Sequence, residues 1–192
     1  MIDALLRFLT AVFGSHQVTR RADEPAPRVA AYRLHVPRSL LHDLRRLTAP
    51  DTRRGEPLAF LRVRYASEES RSVVVGIGIL PFPEEAYLEG HAGANFDTDF
   101  AVDVANRQIT QNVGLLLAHS HGGKGMPTFS GIDNRTNSDV MGGLAMGIAV
   151  VPYGALVLND TDARCVLAVD EKMIEPKVVA VPDWLGELSV ST

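Results

Sequence analysis

The stretch Val113–Asn134, VGLLLAHSHGGKGMPTFSGIDN, joins an apolar run to two histidines, a glycine-rich segment, a serine and an aspartate. The apolar run is typical of a buried β-strand. Because side chains alternate along a strand, His119 and His121 at its end are expected to point to the same side. The glycines that follow let the chain turn sharply, so that Asp133 can return as an oxygen ligand. Two histidines and a carboxylate, with a fourth position open to water, are a common ligand set for catalytic zinc.

The same stretch must be compared with other kinds of site. A Walker-type phosphate loop is excluded, because Gly123-Lys124 is preceded five positions earlier by Ala118 and followed by Gly125 rather than by serine or threonine. Ser130 lacks the Gly-x-Ser-x-Gly context of a nucleophilic serine, although a Ser–His pair that meets only in space stays possible. A His-x-His pair can also be two histidines that hydrogen-bond to each other. The residues alone leave these last alternatives open.

Composition predicts one folded domain with an ordinary core. The chain has 192 residues, of which 46% are hydrophobic and 22% charged. Its formal net charge of −4 argues against non-specific nucleic-acid binding. The single cysteine, Cys165, excludes an intrachain disulfide, and its strand-like neighbours predict a buried thiol. A cytoplasmic location is therefore expected.

The N-terminal residues 1–14, MIDALLRFLTAVFG, form one apolar face at helical spacing. They lack a basic signal-peptide region, Asp3 and Arg7 interrupt the apolar run, and the segment is too short to span a bilayer. We expect an amphipathic helix that packs on its own domain or on a partner protein, with no membrane role. Residues 15–29 are polar and contain proline, and are predicted to be a linker.

The remaining chain is predicted to be one domain over residues 30–185, followed by a tail at 186–192. Strand patterns cover 29–36, 56–66, 70–80, 113–121, 153–159, 164–169 and 177–181. Helices are predicted over 37–49 and from Asp97 or Thr98 to about Gln111, and loops over 81–96 and 134–147. The mixture indicates an α/β or α+β fold, two classes that the pattern cannot separate.

His119-Ser120-His121 followed by Ser130-Gly131-Ile132-Asp133 resembles the JAMM motif of the JAB/MPN metalloprotease family, which reads His-Ser/Thr-His, a spacer and Ser-x-x-Asp. The spacer has eight residues here, whereas seven is the commonest number in the family. The resemblance covers roughly residues 30 to 180. It implies an MPN-type fold, a mixed β-sheet of the cytidine-deaminase-like kind flanked by two main helices.

The motif also needs a glutamate at the start of a strand that follows the first long helix. Glu56 in GEPLAFLRV has that position. The residues after it, Pro-Leu-Ala-Phe, differ from the glycine-containing stretch of many members. Glu84, Glu85 and Glu89 are the rival glutamates, but they lie in a predicted loop, which positions a general base less rigidly than a strand end does.

By this resemblance the chain is a zinc metalloprotease with one Zn²⁺ per chain. His119, His121 and Asp133 would bind the metal, and a water would complete the tetrahedron. Glu56 would accept a proton from that water and pass it to the departing amine, and Ser130 would donate a hydrogen bond to the oxyanion. The implied reaction is the hydrolysis of an amide or isopeptide bond.

The family usually cleaves after the C-terminal glycine of ubiquitin or a ubiquitin-like protein. A small, cysteine-poor, single-domain chain resembles the bacterial members, which occur beside ubiquitin-like proteins and their activating or conjugating enzymes, including in anti-phage systems. The loops at 81–99 and 134–148 are the segments expected to hold the substrate tail. The alternatives are a non-catalytic MPN scaffold and a metal-dependent hydrolase of a small peptide or a sulfur-carrier adduct.

Overall fold

The computed structural model of the chain describes residues 32–50, 56–66, 72–88, 96–110, 112–145, 151–169 and 172–188. The predicted N-terminal helix at 1–14 and the linker at 15–29 lie outside these ranges. Among the described residues, no helix is long and apolar enough to cross a membrane.

Eight strands within these ranges form one mixed sheet. The strands are β1 Arg33–Pro37, β2 Ala59–Tyr65, β3 Val73–Pro81, β4 Gly114–Ser120, β5 Tyr153–Leu158, β6 Ala163–Val169, β7 Lys172–Ile174 and β8 Lys177–Val181. Their order across the sheet is β7-β6-β5-β4-β2-β3-β1-β8. The strand β1 pairs in parallel with β3 and β8, and β4 pairs in parallel with β5. All other neighbours are antiparallel.

Helices accompany this sheet, which gives the mixed α/β architecture that the sequence predicts. They are α1 Arg38–Leu47, α2 Thr98–Asn106, α3 Gly131–Ala145 and α4 Asp183–Leu188, with a short 3-10 helix at Glu84–Ala86. The helix α1 follows the predicted segment, and α2 begins as predicted but ends before the predicted Gln111.

One prediction about the helices is wrong. The segment 134–147, predicted as a loop, is helical as far as Ala145, so a third long helix joins the two that were predicted. Val140, Met141 and Leu144 are buried along it, which explains how an otherwise polar segment is held against the sheet. At the end of the described residues, α4 continues past residue 185 as far as Leu188.

The sheet separates two hydrophobic clusters, and β4 contributes to both. Leu116 and Ala118 face the cluster that α1 covers, whereas Leu115 and Leu117 face the cluster that includes residues of α2 and α3. Every residue of β4 is buried. This central strand is therefore held from both sides, and it provides a rigid support for the side chains at its C-terminal end.

Candidate metal centre

The two histidines stand at the end of β4. His119 continues the alternation of Leu115 and Leu117, so its ring lies on the same face of the sheet as α3. The main-chain N of His121 donates to Leu158 O at 2.8 Å, which extends the β4–β5 pairing beyond the assigned strand. His119 is 3% exposed, whereas His121 is only half-buried. The centre therefore has one buried and one solvent-facing imidazole.

Asp133 is placed by the start of α3. Ser130 precedes the helix, and its Oγ accepts a hydrogen bond from the Asp133 main-chain N at 3.1 Å. In return, Asp133 Oδ2 accepts a hydrogen bond from the Ser130 main-chain N. This reciprocal pair is a capping box. It satisfies two main-chain donors of the helix start and fixes the direction in which the carboxylate points.

Glu56 reaches the same place through sheet register. The strands β2 and β4 are antiparallel, and Ala59 pairs with Ala118. Glu56 lies three residues before Ala59 and His121 three residues after Ala118, so continuing the register brings them to one edge of the sheet. The glutamate is thus adjacent to the histidines although more than sixty residues separate them in the chain.

The four side chains converge on one point. His119 Nε2 lies 3.2 Å from His121 Nε2. Asp133 Oδ1 lies 3.4 Å from His119 Nε2, and Asp133 Oδ2 lies 3.4 Å from His121 Nε2. Glu56 Oε1 is 4.0 Å from His121 Nε2, and the ligand atoms of all four residues lie within 4.8 Å of one another.

These separations fit a bound divalent cation. Tetrahedral ligands at zinc-like bond lengths of about 2.0–2.2 Å lie about 3.3 Å apart. This is close to the 3.2 Å between the two Nε2 atoms and to the 3.4 Å from each Nε2 to one oxygen of Asp133, Oδ1 for His119 and Oδ2 for His121. Charged hydrogen bonds are typically shorter, at about 2.7–2.9 Å. A hydrogen-bonded histidine pair accounts for one of these contacts, whereas a shared cation accounts for all three.

The ionisation of Asp133 also suits cation binding. Burial alone raises the pKa of the Asp133 carboxyl, but the contact with the His119 ring and the hydrogen bond from the Ser130 main chain outweigh it. The pKa of Asp133 is therefore held well below its usual range. The carboxylate is ionised at neutral pH, as a metal ligand must be.

The remaining candidates lie elsewhere or have other partners. Ser130 is exposed, and its Oγ accepts a hydrogen bond from the Asp133 main-chain N. Glu84 and Glu85 form part of the 3-10 helix and do not belong to the four-residue cluster, and Glu89 lies outside the described residues. Cys165 is 1% exposed as predicted, and burial raises the pKa of its thiol, which opposes a nucleophilic role.

Comparison with known proteins does not assign the chain to a family. No protein-family model matches the chain, and no curated protein matches it. The solution structure of protein DSY2949 from Desulfitobacterium hafniense is similar, with 12% sequence identity and a TM-score of 0.46. The alignment covers 78% of this chain and 93% of that one.

Sequence reasoning missed two features next to the centre. One is Asn159, which is 4% exposed and contacts the glycine-rich segment after His121. The turn-like composition of Asn159–Asp162 after an apolar strand was the available signal. The other is a cavity of about 260 Å³ beside the start of α3, lined by Phe129, Asn134, Arg164, Val166, Met173, Ile174 and Glu175.

Proposed function

We propose that this protein is a zinc-dependent isopeptidase or peptidase that cleaves after the C-terminal glycine of a ubiquitin-like protein. The observation that carries the proposal is the convergence of Glu56, His119, His121 and Asp133. These residues come from a strand start, a strand end and a helix start, and they are the ones that the JAMM resemblance requires. An MPN-type fold and a bacterial, cytoplasmic conjugation or anti-phage pathway belong to the same proposal.

Three of the four residues are suited to bind the metal. His119, His121 and Asp133 would hold the ion, because their ligand atoms have the spacing of a shared cation. When bound, zinc acts as a Lewis acid and lowers the pKa of water to about 7. The buried His119 and Asp133 anchor the site, and the half-buried His121 leaves its outer side accessible to a substrate.

Glu56 is suited to move the proton. Its Oε1 is 4.0 Å from His121 Nε2, the longest of the contacts given above, and its side chain is 38% exposed. A carboxylate beside the ligands, rather than among them, can accept a proton from the attacking water and pass it to the leaving nitrogen. A carbon–oxygen bond then forms, the carbon–nitrogen bond breaks, and Glu56 returns to its starting state.

Ser130 is suited to stabilise the oxyanion. Its Oγ accepts from the Asp133 main-chain N, so the hydroxyl hydrogen can still be donated outward. A donor of this kind typically contributes about 3 kcal/mol to transition-state stabilisation. Of the two segments proposed to hold the substrate tail, 134–148 is mostly the helix α3 rather than a loop. The segment 81–99 is therefore the preferred candidate.

The test combines metal content with cleavage. We expect about one zinc per chain and cleavage of a fusion in which a Gly-Gly-terminated ubiquitin-like protein precedes a reporter. Glu56→Gln should keep the zinc and lose cleavage, whereas the matched control Glu84→Gln should keep both. A zinc-free wild-type protein would instead favour the scaffold alternative. Zinc-loaded protein that cleaves only small peptides would show that the substrate class is wrong.

A further inference from the structure

In the segment between His121 and Ser130, residues 122–126 have few packing contacts that could hold their shape, and Pro127 is the first buried residue after them. Residues 122–126 are exposed, and Gly123 and Gly125 have φ values of 102° and 92°, a conformation that favours glycine. A Cβ placed at Gly122, Gly123 or Gly125 would meet no atom within 4 Å. Because packing does not fix residues 122–126, hydrogen bonds are the contacts that hold this part of the chain between the histidines and Pro127.

Those hydrogen bonds come from the turn between β5 and β6. The Asp160 main-chain N donates to Gly123 O at 3.3 Å. The side-chain Nδ2 of Asn159 donates to Gly125 O, two residues further along the segment. Together with the bond from His121 to Leu158, these contacts connect the segment to a rigid hairpin along its first half.

Four further hydrogen bonds hold Asn159 itself in place. Its Oδ1 accepts from Thr161 N at 3.0 Å and from Asp162 N at 2.7 Å, an arrangement that stabilises the turn. Its main-chain N donates to Asp162 O at 3.1 Å. Its main-chain O accepts from Arg45 Nε at 2.9 Å, a contact that comes from α1. The side-chain amide thus has one oxygen for the turn and one nitrogen for the glycine segment.

We propose that Asn159 is a positioning residue for the metal centre. Its amide holds the glycine segment in the conformation that returns Ser130 and Asp133 to the two histidines. Arg45 in turn holds Asn159. The inference rests on the proposed metal site but not on the reaction or its substrate. Residues that orient metal ligands typically change metal affinity by about 10–100-fold when they are replaced.

The sharpest variant is Asn159→Asp, measured at pH 8. Aspartate keeps the oxygen that the turn needs and replaces the Nδ2 donor with an oxygen that faces Gly125 O. The added negative charge should by itself strengthen cation binding, so a loss of affinity cannot be an effect of charge. We expect the zinc dissociation constant to rise about 10–100-fold. Arg45→Met should give a smaller rise and provides a second test should Asn159→Asp fail to fold.

The control separates positioning from general destabilisation. Val36→Ala removes buried methyl groups from β1, in the cluster on the other face of the sheet. Zinc dissociation constants and thermal unfolding of the metal-free proteins are measured for all variants. If affinity falls no more in Asn159→Asp and Arg45→Met than in an equally destabilised Val36→Ala, the inference is wrong. If the wild type binds zinc but cleaves nothing, the proposed reaction fails and this inference is unaffected.

Discussion

Ser130 and Asp133 bond reciprocally at the start of α3, each accepting with its side chain the main-chain N–H of the other. The pair therefore has two consequences at once. It stabilises the helix start, and it directs the Asp133 carboxylate toward the two histidines, where it lies 3.4 Å from each Nε2. The same two side chains thus cap the helix α3 and position the Asp133 carboxylate as a candidate metal ligand.

Replacing Ser130 by alanine and by glycine should separate its two roles. Both variants remove the hydroxyl, and we expect both to lose about 100-fold in kcat if it stabilises an oxyanion. Alanine should also lower the free energy of unfolding by about 1 kcal/mol, whereas glycine, a better N-cap, should cost only a few tenths. Cleavage kinetics and urea unfolding of the metal-free proteins measure the two effects. Wild-type kcat in Ser130→Gly would limit the serine to capping.

Asp133→Asn should abolish stabilisation by zinc. Asparagine keeps the shape of the side chain and an oxygen for the Ser130 N–H, but it lacks the negative charge that a cation requires. A ligand at one hundred times its dissociation constant stabilises the folded state by about 2.7 kcal/mol. We expect the wild-type unfolding temperature to rise with zinc and to fall with a chelator, while Asp133→Asn shows no change. Asp139→Asn, an exposed change on the same helix, should respond like the wild type.

The strands could be predicted where apolar residues are continuous or alternate along the sequence, because these patterns reflect burial of both faces or of one face of the strand. The apolar run before His119 predicted β4 because both of its faces are covered. The helix α3 was missed because Asn, Thr, Ser and a Gly-Gly pair have low helix propensity. The spacing Ser130-x-x-Asp133 was the signal for it, since a capping box begins a helix. The three-residue strand β7 is too short to give a pattern.

Which face of a helix is buried is harder to predict from the sequence than whether the helix exists. Phe100 in α2 is 41% exposed, whereas Ala101 and Ala105 are buried. Asp97 does cap the helix as predicted, through a bond from Phe100 N at 3.0 Å. The cap fixes where the helix begins, whereas packing against α3 decides which face is buried.

Only those residues of the site that are neighbours along the chain could be predicted from local geometry. His119 and His121 are neighbours through local strand geometry, which a sequence displays directly. Glu56 joins them only through the pairing of β2 with β4, and no local pattern encodes that pairing. The resemblance to a known motif supplied the residue, and the antiparallel register supplies the physical reason. Asn159 belongs to no motif, so only its contacts reveal it.

Asp183 should make the stability of α1 depend on pH. Pro37 gives this helix no side-chain cap, but Asp183 Oδ1 accepts from Ser39 N and from Ser39 Oγ, each at 2.9 Å. These bonds hold the pKa of Asp183 below its usual range. A depressed pKa means that the stabilisation is complete above the unfolded value of about 3.9 and disappears as the pH falls through the lower, folded value.

The measurement is urea unfolding of the wild type and of Asp183→Asn between pH 6 and pH 2. The difference in unfolding free energy should be largest at pH 6 and should shrink as the pH falls below about 3.9. Ser39→Ala should be non-additive with Asp183→Asn, because both substitutions weaken the contact between the Ser39 hydroxyl and the Asp183 carboxylate. A difference that stays constant with pH would show that the carboxylate charge is not what stabilises the helix.

Gly114 should be intolerant of any side chain, for a reason that concerns the site as well as the fold. A Cβ there would lie 1.8 Å from Pro152 O, at the point where β4 approaches the start of β5. Main-chain atoms cannot yield as a flexible side chain can, so Gly114→Ala should lower the unfolding free energy by about 3 kcal/mol or more. Gly122→Ala is the matched control, because nothing lies within 4 Å of its Cβ. Since His119 lies in β4 and His121 directly follows it, Gly114→Ala should also weaken zinc binding. A variant that matches the Gly122→Ala protein in stability and affinity would contradict this close approach.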